Sequence, residues 1–196
     1  MDGLTSTPLN DRMTPNEQIN TLSAYASAVP RTGRGTGTGA DIVLIAALVI
    51  SGLIAGTYFA YASSVMLALR RTGDRTFIEV MQKINVAIQN PVFLLAFLGA
   101  LVLAAIAVWQ QRGTALGGAL GWTIAALVSY GVSLLITVAV NIPLNNRLDA
   151  AGDPATIADP AAVREKFEHA WNSWNIARAL AATAAVACLG QTLRQR

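Results

Sequence analysis

Charge is scarce in this chain: Asp, Glu, Lys and Arg supply 13% of its 196 residues, where about 25% is usual for soluble domains. A soluble domain of this size needs charged surface to stay dispersed, so that class is excluded. There is one cysteine, Cys188, which rules out an internal disulfide and reads as a small buried apolar residue. There is one histidine, His169. One His and one Cys cannot ligate a zinc site, a haem pair or a di-iron site of the Glu-x-x-His type, so neither a metal site nor a protein-bound cofactor is expected. Nucleophile-elbow, P-loop and Rossmann glycine patterns are lacking too. No apolar run carries an acid at its centre, which argues against a proton pump or ion carrier. The net charge of +3 and pI near 9.4 do not signal nucleic acid, because the cations form no run and sit beside apolar segments.

What the chain does have is apolar length. Hydrophobic residues make up 54%, and the charges are segregated. None lies between Asp41 and Arg70, between Lys83 and Arg112, between Arg112 and Arg147, or between Arg178 and Arg194. Runs of this kind cross a hydrocarbon core, which takes roughly 20 helical residues. In lipid the backbone must bond to itself, so they read as helices. The fold class is therefore all-α: a four-transmembrane-helix bundle with spans over 42–69, 91–110, 115–142 and 174–193.

Residues 1–38 hold Ser, Thr, Asn, Gly and Pro with little periodicity, and are predicted to be a disordered tail ahead of a membrane domain over 39–196. No signal peptide is expected, since its apolar region would come nearer the start. Gly52, Gly56 and Ala60 form a one-turn stripe in the first span, as do Gly117 and Gly121 in the third, and both predict close helix approach. Thr76 and Glu79 form a capping box that opens an amphipathic helix carrying Phe77, Met81, Ile84 and Ile88. Asn90 and Pro91 mark its junction with the second span. Asp159 and Pro160 start the last helix, which runs to about Leu193, on the order of 50 Å long. Its first half should protrude beyond the bilayer. An even number of spans puts both termini on one side, assigned as cytoplasmic, of a multi-pass protein of the cell membrane. The cation count alone does not favour that orientation.

The costly polar groups cluster at the ends of spans that meet at the level away from the termini. Trp171, Trp174, Asn175 and Arg178 follow i, i+3, i+4, i+7 spacing on the last helix. Asn141 and Asn145 lie one turn apart, Asn85 and Asn90 flank the start of the second span, and Tyr58 and Tyr61 belong to the first. These groups can converge on one polar pocket. Each also has a plainer role: tryptophans anchor at interfaces, Arg178 can snorkel to headgroups, and asparagines bridge helices or satisfy carbonyls freed near proline. His169 falls roughly 200° from Trp171 around the helix and reads as solvated.

The same residues carry a resemblance. The run Gly56–Met66 with Tyr58 and Tyr61 is followed by Met81, Gln82 and Asn85 with Asn90, Pro91 and Phe93. Asn141, Pro143 and Asn145 come next, then Trp171, Trp174, Asn175 and Arg178. In that order they resemble the anthrone oxygenase-like family of small membrane proteins, over roughly residues 42–193. The family's first motif usually has a proline before its final Ala-Leu; Met66-Leu67-Ala68-Leu69 lacks it, which predicts an unbroken helix. The resemblance implies oxidation of an anthrone-like or phenolic ring by molecular oxygen without a cofactor. Arg178, Asn141, Asn145 and Asn175 would stabilise an oxyanion, with Trp171 and Trp174 flanking the ring and Tyr58, Tyr61, Asn85 and Asn90 lining it. The base is left unassigned, with Tyr61 and the substrate's own phenolate as candidates. A second reading stays open: a non-enzymatic membrane protein that binds a lipid or quinone-like molecule or supports a partner complex. The expected partners are membrane lipid and a small aromatic ligand, not nucleic acid.

Overall fold

The computed structural model describes residues 14–28, 37–112 and 117–196, which fall into two units, 1–37 and 38–196. In the first unit, part of the stretch expected to be disordered is a helix, α1 (Pro15–Ala28). The cause is a capping box at its start. The Thr14 hydroxyl and backbone N–H both donate to Glu17 Oε2 at 2.8 Å, and Glu17 N–H donates back to Thr14 Oγ1 at 3.4 Å. Those bonds to the carboxylate, the backbone one first, hold Glu17 below its ordinary pKa.

The second unit is the four-helix bundle. Its helices are α2 (Thr38–Ala60), α3 (Met66–Leu69), α4 (Asp74–Ile88), α5 (Pro91–Gln111), α6 (Gly117–Ile136), α7 (Ile142–Asp149) and α8 (Pro160–Arg194). Two π-helical turns, π1 (Tyr61–Val65) and π2 (Thr137–Asn141), join α2 to α3 and α6 to α7 without a break. Four continuous helical stretches are long and apolar enough to cross a membrane: Gly39–Leu69, Pro91–Gln111, Gly118–Asp149 and Pro160–Arg194. This is the architecture of a multi-pass membrane protein. α2 packs on α5 and α8, and α6 packs on the same two, closing a ring of four.

Lipid offers no hydrophobic drive between helices, so close approach of small side chains must supply the packing. Alanines do this here, with Ala47, Ala100, Ala126, Ala182 and Ala185 fully buried. The glycine stripes do not. A Cβ added at Gly52, Gly56 or Gly121 would meet nothing within 4 Å, and Gly56, Ala60 and Gly121 face outward. Hydropathy cannot separate the two faces of a helix that is apolar all round.

At one end the bundle carries an extra layer. Phe77, Ile78 and Met81 of α4 meet Leu144 and Leu148 of α7 and Phe167 of α8. The first half of α8 is thus packed against α4 and α7 rather than free-standing. Arg164 ties it to the α3–α4 turn, donating to Asp74 Oδ1 at 3.0 Å, Glu168 Oε2 at 2.7 Å and the Thr72 carbonyl at 2.9 Å. Asp74 therefore starts α4, with Gly73 at the cap position. The Thr76–Glu79 box expected there lies one turn inside the helix and caps nothing. Gln82 donates to the Leu148 and Gly152 carbonyls at 2.9 and 3.1 Å. Gly152 has φ of +83°, a conformation that suits glycine.

Each π turn has a local cause. Pro143 has no N–H to continue the ladder, and just before it the Ile142 N–H reaches back five residues to the Thr137 carbonyl. In π1 the Met66 N–H reaches back to Tyr61, and the Ser63 hydroxyl donates to the Phe59 carbonyl at 2.7 Å, a contact that bends helices. The first helix is thus unbroken, as the absence of the motif proline predicts, but it is bulged.

Candidate functional site

Both π turns face one cavity of about 240 Å³ between the extra layer and the bundle, near the small end of ligand pockets, which start at about 300 Å³. Tyr58, Tyr61, Asn85, Asn141, Asn145, Trp171 and Arg178 all border it. These seven come from three of the four membrane-crossing stretches and from α4, and Phe93, Leu94 and Phe97 of α5 complete the wall, so the groups expected to converge from alternating spans do meet.

Arg178 is the centre of the arrangement. It is 7% exposed, lies within a membrane-crossing stretch and, among the described residues, forms no ion pair. Its neighbours are neutral. Nε and Nη2 donate to Asn175 Oδ1 at 3.2 and 3.0 Å, and Nη1 donates to Thr137 Oγ1 at 3.3 Å. The guanidinium lies 4.2 Å from the Tyr58 ring centroid and 5.2 Å from that of Trp171. These are cation–π distances that substitute for a carboxylate in holding the charge. Three of the five N–H groups of a guanidinium are thereby used, and two remain uncommitted.

The rest of the wall fixes the direction of its hydrogen bonds. Trp171 Nε1 donates to Asn145 Oδ1 at 2.8 Å, and Asn141 Nδ2 donates to the Trp171 carbonyl at 3.3 Å. Flipping either amide would set like poles against each other, so Asn145 offers its NH₂ and Asn141 its oxygen. That oxygen is buried without a partner, as is Nδ2 of Asn85. Buried polar groups normally find partners, and these two border a cavity. Thr137 donates to the Ser133 carbonyl at 2.9 Å, so the Tyr58 hydroxyl, 3.5 Å away, is the donor between the two.

Three of the expected residues stand apart from the cavity wall. Asn90 is the N-cap of α5, its amide donating to the Ala87 carbonyl and accepting from the Phe93 N–H at 2.9 Å each. Trp174 is 44% exposed, because i+3 spacing sets it roughly 60° from Trp171 around the helix, at the edge of the inward stripe. Asn175 is fully buried behind Arg178, with its Nδ2 on the Tyr58 carbonyl at 3.1 Å. His169 is exposed, as expected. Sequence reasoning missed Thr137, although Ser133, Thr137, Asn141 and Asn145 form a polar stripe at four-residue spacing in an otherwise apolar helix. It also missed Phe97 and gave no site role to Phe93 of the resemblance motif; the two stack with centroids 5.8 Å apart in the wall. No group of three His, Cys, Asp or Glu side chains gathers among the described residues.

A protein-family model described as anthrone oxygenase matches residues 79–188, more than half of the chain. That stretch includes Asn85, Asn141, Asn145, Trp171, Asn175 and Arg178 and stops short of Tyr58 and Tyr61. No curated protein and no solved structure matches the chain.

Proposed function

The chain belongs to the anthrone oxygenase family, and from that premise we propose that its cavity binds an anthrone-like or phenolic aromatic and promotes its oxidation by molecular oxygen. The observation that carries this reading is Arg178: a buried cation with no carboxylate, two spare N–H groups and a cavity beside it. A lone charge at membrane depth is costly, and an anionic ligand offsets that cost.

The chemistry suits such a site. Removing one benzylic proton from an anthrone leaves an anion whose charge rests on the ring carbonyl oxygen, where Arg178 stabilises it. The anion passes one electron to oxygen, giving a substrate radical and superoxide. The two combine to a peroxide at the benzylic carbon. The peroxide takes up the proton first removed and then loses water, which carries away the second benzylic hydrogen and one oxygen atom, leaving a new carbonyl. Trp171 and Tyr61, with ring centroids 5.6 Å apart, flank the ring. Asn85 and Asn141 bond its substituents, and Asn145 adds its free NH₂. Asn175 acts through Arg178 as a positioning residue. The base is Tyr61 or the substrate's own phenolate.

Purified protein in lipid nanodiscs should consume oxygen with 1,8-dihydroxyanthrone faster than the spontaneous reaction. Arg178→Met should lower kcat by about a hundredfold, the scale of losing an oxyanion donor. A rate no faster than spontaneous, or one unchanged by Arg178→Met, overturns the reading.

One observation favours a second reading: among the described residues, no carboxylate or imidazole borders the cavity. The same wall then serves a quinone-like or lipid ligand without turnover. A co-purifying ligand identified by mass spectrometry, with no oxygen consumption, selects it. We place the protein in the cell membrane with both termini cytoplasmic, in contact with lipid and a small aromatic ligand. Protease accessibility of a C-terminal tag in oriented vesicles tests that orientation.

A further inference from the structure

We infer that the cavity fills sideways from the hydrocarbon phase, through a portal between the first turn of α5 and the start of α7, with Leu94 and Ile142 as its two posts. The ligand is then a membrane-dissolved aromatic rather than a water-borne one. This deepens the proposed reading by naming the phase that supplies the substrate, and it rests on that cavity being the ligand site.

Leu94 and Ile142 both border the cavity, yet they are 43% and 42% exposed. A side chain that meets a cavity on one side and the outside on the other lies at an opening. Both are apolar and belong to stretches apolar and long enough to cross a membrane, and on this inference the outside they meet is hydrocarbon. The packing explains why the opening is there. α5 packs on α2 and α6, and α7 packs on α4 and α8, while no comparable packing joins α5 to α7 among the described residues. Leu94 is also one wall of a shallow apolar groove that runs down the outer face of α5 past Leu98 to Val102. The cavity is therefore continuous with lipid-facing surface. On its other flank the rim carries Gln89 and Asn146, both exposed and polar. A ligand with an apolar body and one polar edge can slide in with that edge leading towards Asn85 and Asn141.

Thiol labelling tests the route without needing turnover. In a Cys188→Ala background, Asn85→Cys puts one thiol in the cavity wall. Benzyl methanethiosulfonate partitions into bilayers, whereas the 2-sulfonatoethyl reagent stays in water and reacts by the same chemistry. In nanodiscs the benzyl reagent should label the thiol faster than the sulfonate. Leu94→Trp with Ile142→Trp should slow that labelling by about tenfold, the effect of ~1.4 kcal/mol of added barrier. Leu94→Ala with Ile142→Ala should speed it, and this pair decides the matter if the tryptophan pair does not fold. Equal rates for the two reagents, or a benzyl rate indifferent to the alanine pair, overturn the portal. Protein that labels as expected but leaves the anthrone at its spontaneous rate loses the proposed reaction alone.

Discussion

Asn175 Oδ1 accepts two N–H groups of Arg178, at 3.2 and 3.0 Å, one turn earlier on the same helix and with both residues buried. An amide oxygen thus does what a carboxylate does for most buried arginines, and it leaves the charge uncancelled. Asn175→Asp supplies the missing negative charge with little change of shape. The pairing gained by a buried cation, on the order of 3–5 kcal/mol, exceeds the loss of the Nδ2 bond to the Tyr58 carbonyl, about 1–3 kcal/mol, so the variant should unfold at a higher temperature than the parent. It should also bind an anionic ligand more weakly, since the site no longer carries net charge. Thermal unfolding in nanodiscs and a KM measured with 1,8-dihydroxyanthrone check the two signs. A variant that keeps its KM would separate Arg178 from ligand binding.

Asn85 gives a second test with opposed signs. Its Nδ2 is buried and unpartnered, a condition that costs about 1–3 kcal/mol. Asn85→Leu removes that cost at similar volume and should stabilise the ligand-free protein by about 1 kcal/mol. The same change removes a group that a ligand would satisfy, so affinity should fall. Stability gained together with affinity lost marks a residue kept for binding; loss of both would mark Asn85 as structural.

The amount legible in the sequence follows from what lipid hides. Charge-free runs gave four crossing helices, and polar residues near their ends gave the level at which the site forms. Arg178, Asn141 and Trp171 were legible because a polar group in an apolar helix has few places to go. Inward and lipid-facing sides were not legible, since both are apolar. For that reason the half-buried Gly52 and outward Gly56 read as a packing stripe, and the exposed Trp174 read as a neighbour of Trp171. The helix at Pro15–Ala28 was masked by its polar composition, although Thr14 and Glu17 stand at capping-box spacing. The π turns leave no compositional mark beyond Pro143 and the serines of π1. Asn90 was read as a site residue when its place before Pro91 already identified a cap.

Trp171 sets the direction of two asparagine amides through one indole N–H and one carbonyl. Trp171→Phe keeps an aromatic ring and the carbonyl but removes the indole donor. Asn145 is then released while Asn141 stays fixed. Loss of one such bond costs about 1 kcal/mol of stability. Kinetically the change should appear as a higher KM with kcat within about a factor of three, as expected when binding rather than the transition state is affected. Asn145→Ala should match it, and adding it to Trp171→Phe should cost nothing more, since both remove the same bond. Additive losses would show that the two residues act separately.

The two π turns make a prediction about register. Each places one extra residue in a helix turn, which rotates everything beyond it by about 100° relative to an uninterrupted α-helix. Tyr58 before π1 and Tyr61 within it both border the cavity, as do Thr137 and Asn141 at the two ends of π2. Deleting Ala139 converts π2 to a regular turn and turns Asn141 away from the Trp171 carbonyl, or else rotates α6 out of its packing on α8. Helices in lipid keep their backbone bonds in either case, so circular dichroism should show almost unchanged helix content. Oxygen consumption with 1,8-dihydroxyanthrone should fall to the spontaneous rate. Full activity in the Ala139 deletion would mean that the π turn is a consequence of Pro143 and carries no part of the site.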